Sequence, residues 1–244
     1  MRIVLGQTAH TSIRALQDGI CAVAAKAFQS VPRREVLRRF DDYPEIAVAL
    51  ETTHVRGFLF ASWHEAPPHH YLGFRLAAVD PDWQDRGVLG RLSTRVFVRH
   101  YVRFFTRKLL RLRVTDRLYG FARVCSPIAY KTLHAGQRVY PDLIRQKACH
   151  LPADVQARYR ELAALVGLTG LDVRTGLLPD GAANAGLMLD GQDFSVADGW
   201  ATPWSHYVTA GSELLVLFPV GVALPLWHAP HLLRTRLRRL KRKP

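Results

Sequence analysis

The stretch VDPDWQDRGVLGRL, from Val79 to Leu92, decides the fold that the sequence predicts. It follows a strand-like run, passes through a polar turn and enters a helical pattern, so it predicts a strand end, a turn and a helix start. The first turn of a helix has backbone N–H groups without partners and the positive end of the helix dipole. Gly87 and Gly90 let a phosphate approach this backbone closely, and Gln84, Arg86 and Arg91 would flank it. The stretch therefore predicts an anion site.

Three short runs rich in strand-forming residues precede the turn. Glu45–Glu51 and Val55–Trp63 predict a hairpin, and Tyr71–Val79 predicts a third strand that ends at Asp80–Pro81. Consecutive strands this close together must be antiparallel. Upstream of them, Ile20–Phe28 predicts a short, largely buried helix, followed by a basic, mobile connection.

Helices and strands alternate after the turn. The predicted elements are a helix from Gly87 to about Leu110, a strand over Leu118–Cys125, a helix opened by Ser126–Pro127, a helix over Asp154–Val166 and a buried strand over Glu213–Ala223. The glycine-rich segment between the last two elements, Gly167–Gly191, predicts irregular structure. The predicted order is thus one helix, three meandering strands, a long helix, a strand and a helix.

Composition is consistent with one large domain. The chain has 244 residues, 48% of them hydrophobic, which suffices for a sizeable core. We divide it into a core, residues 1–150, and an extension, residues 151–244, that completes the sheet and ends in a basic tail. The 34 Lys and Arg against 20 Asp and Glu give a net charge of +14. This charge favours polyanionic partners such as cofactor phosphates, nucleic acid or an anionic membrane.

Cysteine usage and apolar runs exclude several classes of protein. The three cysteines form no CxxC pair, so neither a disulfide framework nor a zinc knuckle is indicated. The longest apolar run, Leu214 to Trp227, contains two prolines and is shorter than the roughly 20 residues that span a bilayer. We expect a cytoplasmic protein, peripheral to the membrane at most, without a transmembrane segment.

The stretch from Val79 to Leu92 resembles the acyl-CoA-binding motif of the GNAT (GCN5-related N-acetyltransferase) superfamily. That motif is (Gln/Arg)-x-x-Gly-x-(Gly/Ala), and it follows a strand that ends in a Val-Asp-Pro-like sequence. Gln84 and Gly87 occupy the first two conserved places, Leu89 stands where Gly or Ala is usual, and Gly90 follows. The order of elements is also similar to that family over roughly residues 10 to 145. The resemblance implies an α/β (α+β) fold with a mixed, largely antiparallel sheet flanked by helices.

The resemblance also implies a function, the transfer of an acetyl or other acyl group from acyl-CoA to an amine. In the family, two strands splay apart and hold the pantetheine arm between them; here Ala77–Val79 would supply the exposed edge and Cys125–Ser126 would lie across the gap. The implied cofactor contacts are Ala78, Val79, Gln84, Asp85, Arg86, Gly87, Val88, Leu89, Gly90, Arg91 and Ser126.

Catalytic residues are less well defined. The family often has a tyrosine general acid on the helix after the second splayed strand, and Tyr130 lies about one turn before the usual place. The family usually takes its base from an acidic residue on the central strands. The strand Tyr71–Val79 has none, so Glu51, Glu65 or a bound water would have to serve. Cys125, within a strand, is expected to be a buried apolar residue.

Other interpretations stay open. The catalytically inactive alternative is a GNAT-like module that binds a polyanion through an arginine-rich helix and tail. Arginines recur every four residues along the long helix, without carboxylate partners: Arg91, Arg95, Arg99, Arg103, Arg107 and Arg111. The tail from Arg234 to Lys243 is a solvated terminus, a nucleic-acid arm or a segment drawn to anionic lipid. His64, His69 and His70 are expected to be exposed loop residues, and no metal site is predicted.

Overall fold

A computed structural model describes residues 1–28, 31–84, 86–110, 115–134, 138–144, 151–181, 199, 201–209 and 211–221. Seven strands form one sheet in this part of the chain. The strands are β1 (Arg2–Gln7), β2 (Glu45–Glu51), β3 (His54–Ala66), β4 (His69–Val79), β5 (Arg117–Val124), β6 (Leu177–Leu178) and β7 (Glu213–Val220). The helices are α1 (Thr11–Arg14), α2 (Gln17–Phe28), α3 (Arg33–Asp42), α4 (Val88–Leu110), α5 (Pro127–His134), α6 (Ala153–Val166) and α7 (Ala201–Tyr207).

The sheet has the strand order β1-β2-β3-β4-β5-β7-β6. Neighbouring strands are antiparallel except for β4 and β5, which are parallel and joined through the crossover helix α4. This arrangement confirms the predicted fold class, a mixed and largely antiparallel sheet flanked by helices. β7, from the C-terminal part of the chain, pairs with β5 and so lies in the same sheet.

β4 and β5 separate halfway along their length. Their described ladder runs from His69 opposite Arg117 to Phe74 opposite Ala122, and β4 then continues for five residues, to Val79. At the same level the register between β3 and β4 shifts, so that two residues of β4, Arg75 and Leu76, face a single residue of β3. Such a β-bulge bends its strand and increases the local twist. We name the resulting space between residues 75–79 and residues 123–124 the β4–β5 gap.

Alternating side chains build a hydrophobic core on each face of the sheet. Leu72, Phe74, Ala122 and Val216 pack with α4, α5 and α7 on what we name the α4 face. On the opposite side, the α3 face, α2 and α3 cover β2 and β3, while α6 covers β5 and β7. The turn after Val79 leads into α4, so the gap and the start of that helix are continuous.

Two parts of the N-terminal region differ from the predictions. The expected mobile connection is wrong, because residues 33–42 form the helix α3, whose Val36 and Phe40, four residues apart, are fully or nearly fully buried. β1 was not predicted; it pairs along its whole length with β2. The other predicted helices and strands are present, with ends that differ by a few residues. The predicted tail from Arg234 to Lys243 lies outside the described residues.

Helices long and apolar enough to cross a membrane are not found in the described ranges.

Candidate functional site

The segment from Gln84 to Gly90, which we name the anion turn, places a helix N-terminus directly after β4. Gly87 has a φ of 67°, in the left-handed region that favours glycine. At the start of α4 the Arg91 N–H donates to the Gly87 carbonyl oxygen, at 3.1 Å. Helix geometry therefore leaves the N–H groups of Val88, Leu89 and Gly90 without partners inside the helix. Such a helix end can bind an anion, and the predicted anion site at this position stays a prediction.

Gly90 has no structural reason to be glycine. It lies in the first turn of α4, and a Cβ built there would meet no atom within 4 Å. Glycine in a helix costs about 1 kcal/mol relative to alanine. Gly90 therefore weakens the helix without relieving a clash. Its lack of a side chain leaves open space over the free amides, which a bound phosphate could fill.

Basic side chains surround the turn. Arg91 Nη2 donates to the Arg86 carbonyl oxygen at 2.6 Å, which holds a positive charge beside the amides. The Arg86 guanidinium lies over the Trp83 ring, 4.7 Å from its centroid. Arg56 also lies near this ring, 5.3 Å from the Trp83 centroid. Gln84 is exposed, Leu89 is half-buried, and Asp85 lies outside the described residues.

The edge of β4 that faces the gap carries free backbone groups. The Asp80 N–H donates to the Arg56 carbonyl oxygen on β3, at 3.0 Å. Because successive residues of a strand direct their backbone groups to opposite sides, those of Val79 and Ala77 point toward β5, where the described ladder has already ended. Ala78 points its backbone groups to β3, and its side chain packs under α2 and α3. The edge can therefore pair with amides of an extended ligand.

Cys125 and Ser126 lie at the end of β5, across the gap. Ser126 Oγ accepts a hydrogen bond from the Ala129 N–H at 3.2 Å and so caps α5. Burial raises the pKa of the Cys125 thiol to about 12, and the Glu213 carboxylate adds to the shift. Cys125 is therefore a neutral thiol at physiological pH and a poor nucleophile.

Glu51 and Tyr130, the two predicted catalytic residues, are both engaged elsewhere in the fold. The Glu51 carboxylate, 42% exposed, accepts from Arg56 at 2.8 Å at the β2–β3 turn. Tyr130 is 1% exposed; its hydroxyl donates to the Pro141 carbonyl oxygen at 2.8 Å and accepts from the Leu143 N–H at 2.9 Å. Either residue would have to break these bonds to move a proton, and their catalytic roles stay predictions.

We expect Tyr130→Phe to destabilise the protein rather than to alter its chemistry. The change leaves the buried Leu143 N–H and Pro141 carbonyl without their partner, which costs about 1–3 kcal/mol. Urea unfolding measures this loss. Tyr119→Phe is the matched control, because the Tyr119 hydroxyl forms no hydrogen bond with the described residues. If Tyr130→Phe instead kept full stability and lost catalysis, Tyr130 would be the general acid.

The histidines do not lie in an exposed loop, so that prediction is wrong. His64 lies within β3 and is half-buried, His69 begins β4 and is half-buried, and His70 is buried. The turn between β3 and β4 consists only of Pro67 and Pro68, so the strand pairing extends to all three.

His64 lies on the α3 face of the sheet, next to Ser62 and Phe121. Its Nε2 lies 2.9 Å from Ser62 Oγ, and its ring lies 6.0 Å from that of Phe121 on the α3 face. Burial lowers the pKa of the His64 imidazole to about 4, with a further contribution from Arg75. The imidazole is therefore uncharged at neutral pH.

Some arginines of the series along α4 have carboxylate partners, which the sequence did not suggest. Arg99 lies 3.0 Å from Glu45 on β2, and Arg107 lies 3.9 Å from Glu65 on β3. These pairs correct the prediction that the series has no carboxylate partners. Arg111 lies outside the described residues. Over the described ranges, no group of three or more His, Cys, Asp or Glu side chains is placed to hold a metal ion.

No protein-family model and no curated protein sequence matches the chain. Among solved structures it is similar to Ard1 from Thermoplasma volcanium, with 12% identity, 91% of this chain and 99% of that chain covered, and a TM-score of 0.41. For GCN5 from Tetrahymena the values are 14%, 63%, 84% and 0.40. For the aminoglycoside N-acetyltransferase AAC(6')-Iy in complex with CoA they are 17%, 54%, 82% and 0.35. Similarities this low do not decide what the chain does.

Proposed function

We propose that the chain is a divergent member of the GNAT superfamily that transfers an acyl group, most simply acetyl, from coenzyme A to an amine. One observation carries the proposal: the open edge of β4 leads, through the turn of residues 80–87, to the free amides at the start of α4. A coenzyme A thioester has the matching shape, an extended arm with amides joined to a pyrophosphate. Strand edge and helix end lie in the order that this molecule needs.

Each part of the site has a separate task in this proposal. The amides of Val88, Leu89 and Gly90 bind the pyrophosphate, with Arg86 and Arg91 adding positive charge. The backbone groups of Ala77 and Val79 hold the pantetheine amides. The thioester then lies in the β4–β5 gap, where backbone donors can polarise its carbonyl group.

The chemistry needs no covalent enzyme intermediate. The nitrogen of a neutral amine bonds to the thioester carbonyl carbon, and the C–S bond breaks. The sulfur leaves as a thiol, and the proton that the nitrogen loses balances the one that the sulfur gains. Positioning the two reactants supplies much of the rate. The neutral thiol of Cys125 is consistent with direct transfer, because a nucleophilic cysteine would need a lowered pKa.

Thermal unfolding with and without acetyl-CoA tests the proposal, with ATP as the control for nonspecific anion binding. A ligand that binds only the folded protein, at a hundred times its Kd, stabilises it by about 2.7 kcal/mol. We expect acetyl-CoA to raise the melting temperature by several degrees more than ATP at the same concentration. Equal shifts with both ligands would reject the coenzyme A site in favour of general polyanion binding.

A further inference from the structure

Arg75 lies at the mouth of the β4–β5 gap. It directly follows Phe74, the last β4 residue that pairs with β5, and belongs to the bulge. Phe74 packs on the α4 face, whereas the guanidinium of Arg75 lies over rings of the α3 face. Its carbon Cζ is 5.5 Å from the Tyr43 ring centroid and 4.8 Å from that of Phe121. Arg75 thus approaches the gap from the face opposite to α4.

The Arg75 side chain is largely buried, and its Nε has no polar partner among the residues that the structure describes. The residue is 9% exposed, and its Nε is enclosed with no hydrogen-bond acceptor. No ion pair or hydrogen bond of its guanidinium is formed with the described residues. Burial lowers the pKa of this guanidinium, which expresses the cost of enclosing its charge. Two aromatic rings only partly offset that cost.

The other charges near Arg75 are already paired. Arg123 of β5 binds the buried Glu213 of β7, with Nε donating to Oε2 at 2.6 Å. Arg39 of α3 binds Glu35 at 2.7 Å and lies 3.4 Å from Asp42. Within the described part of the chain, these pairs leave one positive charge of this group, that of Arg75, without an ion-pair partner. Removing an unpaired charge from water costs several kcal/mol unless an anion joins it.

We propose that Arg75 binds a carboxylate of the acceptor, so that the acceptor is a small amine carrying a carboxylate, an amino acid in the simplest case. This inference rests on the proposed acyl transfer and specifies its substrate class. A monoanion matches the single unpaired charge, and a planar carboxylate matches the flat donor edge of a guanidinium between two rings. Ala77, whose backbone borders the thioester arm, is two residues further along β4, about 7 Å in an extended strand. The amine of a carboxylate-anchored acceptor would therefore reach the thioester.

The test uses product-like probes on the protein saturated with CoA. N-acetylated amino acids of increasing side-chain size are titrated, each against its primary amide, which lacks only the charge. We expect the acids to bind the wild-type protein roughly 10- to 100-fold more tightly than the amides, as for a charge-assisted hydrogen bond. In Arg75→Gln this preference should disappear while CoA binding is unchanged. Arg103→Gln, an exposed arginine of α4, is the matched control and should keep the preference.

Thermal unfolding of the same variants separates binding from a structural role. Arg75→Gln removes an unpaired buried charge, so its melting temperature should stay the same or rise. A preference for acids that survives in Arg75→Gln, or acids and amides that bind wild type equally well while CoA is bound, would overturn the carboxylate site alone. Failure of CoA itself to bind would overturn the proposed function and this inference together.

Discussion

Gly90→Glu should make the free protein more stable and at the same time remove its affinity for acetyl-CoA. The position is helical, exposed and sterically open. Glutamate is a better helix former than glycine, and its negative charge at a helix N-terminus is favourable by about 0.3–1 kcal/mol. The same carboxylate would lie among the amides that bind the pyrophosphate. Two like charges at about 4 Å repel by about 4 kcal/mol near a protein surface, so we expect at least a roughly 100-fold loss of affinity.

Calorimetric titration with acetyl-CoA and thermal unfolding of the free protein measure the two effects of Gly90→Glu. Gly90→Gln separates charge from bulk, and Ala153→Glu adds the same charge to the first turn of α6, away from the site. Gly87→Glu should also remove binding, and its match is Gly167→Glu, whose φ of 65° imposes the same backbone strain. Acetyl-CoA affinity in Gly90→Glu within a few-fold of wild type would mean that the pyrophosphate binds elsewhere.

Gly120→Ala should destabilise the protein more than a glycine-to-alanine change at any other described glycine. A Cβ at Gly120 would lie 2.0 Å from Cε2 of Phe218, whose ring lies flat across β5 at this point. Phe218 is 3% exposed and stacks on Phe74, with ring centroids 6.2 Å apart. The ring cannot move without disturbing the α4-face core, so we expect a loss of about 2–3 kcal/mol from overpacking. Because Phe74 is the last residue of β4 paired with β5, the change also strains the sheet at the point where the β4–β5 gap begins.

Urea denaturation of Gly120→Ala, Phe218→Leu and the double variant measures the coupling between the two positions. The smaller leucine should recover part of the stability in the Gly120→Ala background, giving a coupling energy of about 1 kcal/mol or more. Gly221→Ala, where a Cβ would meet nothing within 4 Å, is the matched control and should be neutral. A Gly120→Ala protein as stable as wild type would show that Phe218 does not cover β5 in this way.

Local patterns were enough to predict most of the elements, because each lies in one continuous segment. The hairpin of β2 and β3, the strand before Asp80 and the capped start of α5 were all identified from residue types and turn signals. β1 and α3 were missed for different reasons. β1 is stabilised by pairing with β2, 38 to 48 residues away in sequence. α3 carries so many charges that its two buried apolar residues, Val36 and Phe40, give only a weak helical pattern.

The candidate site could be predicted only in part. The anion turn is local and could be predicted, whereas the gap depends on the register of three strands and on the bulge at Arg75 and Leu76. A signal for Arg75 was present, since it is the only charge in the otherwise apolar YLGFRLAAV run, residues 71–79. Its lack of an ion-pair partner among the described residues depends on the fold, which pairs Arg123 with Glu213 and Arg39 with Glu35. Tyr130 is the opposite case: its residue type suggests a catalytic role, but its hydroxyl forms structural hydrogen bonds with Pro141 and Leu143.

A crystal structure of the protein with acetyl-CoA tests the central claim most directly, because it locates the bound molecule. We predict the pyrophosphate within hydrogen-bonding distance of the Val88, Leu89 and Gly90 amides. The pantetheine arm should lie along Ala77 and Val79, with the thioester in the β4–β5 gap. Acetyl-CoA bound on the exposed arginines of α4, with the gap and the anion turn left unoccupied, would contradict the proposed function.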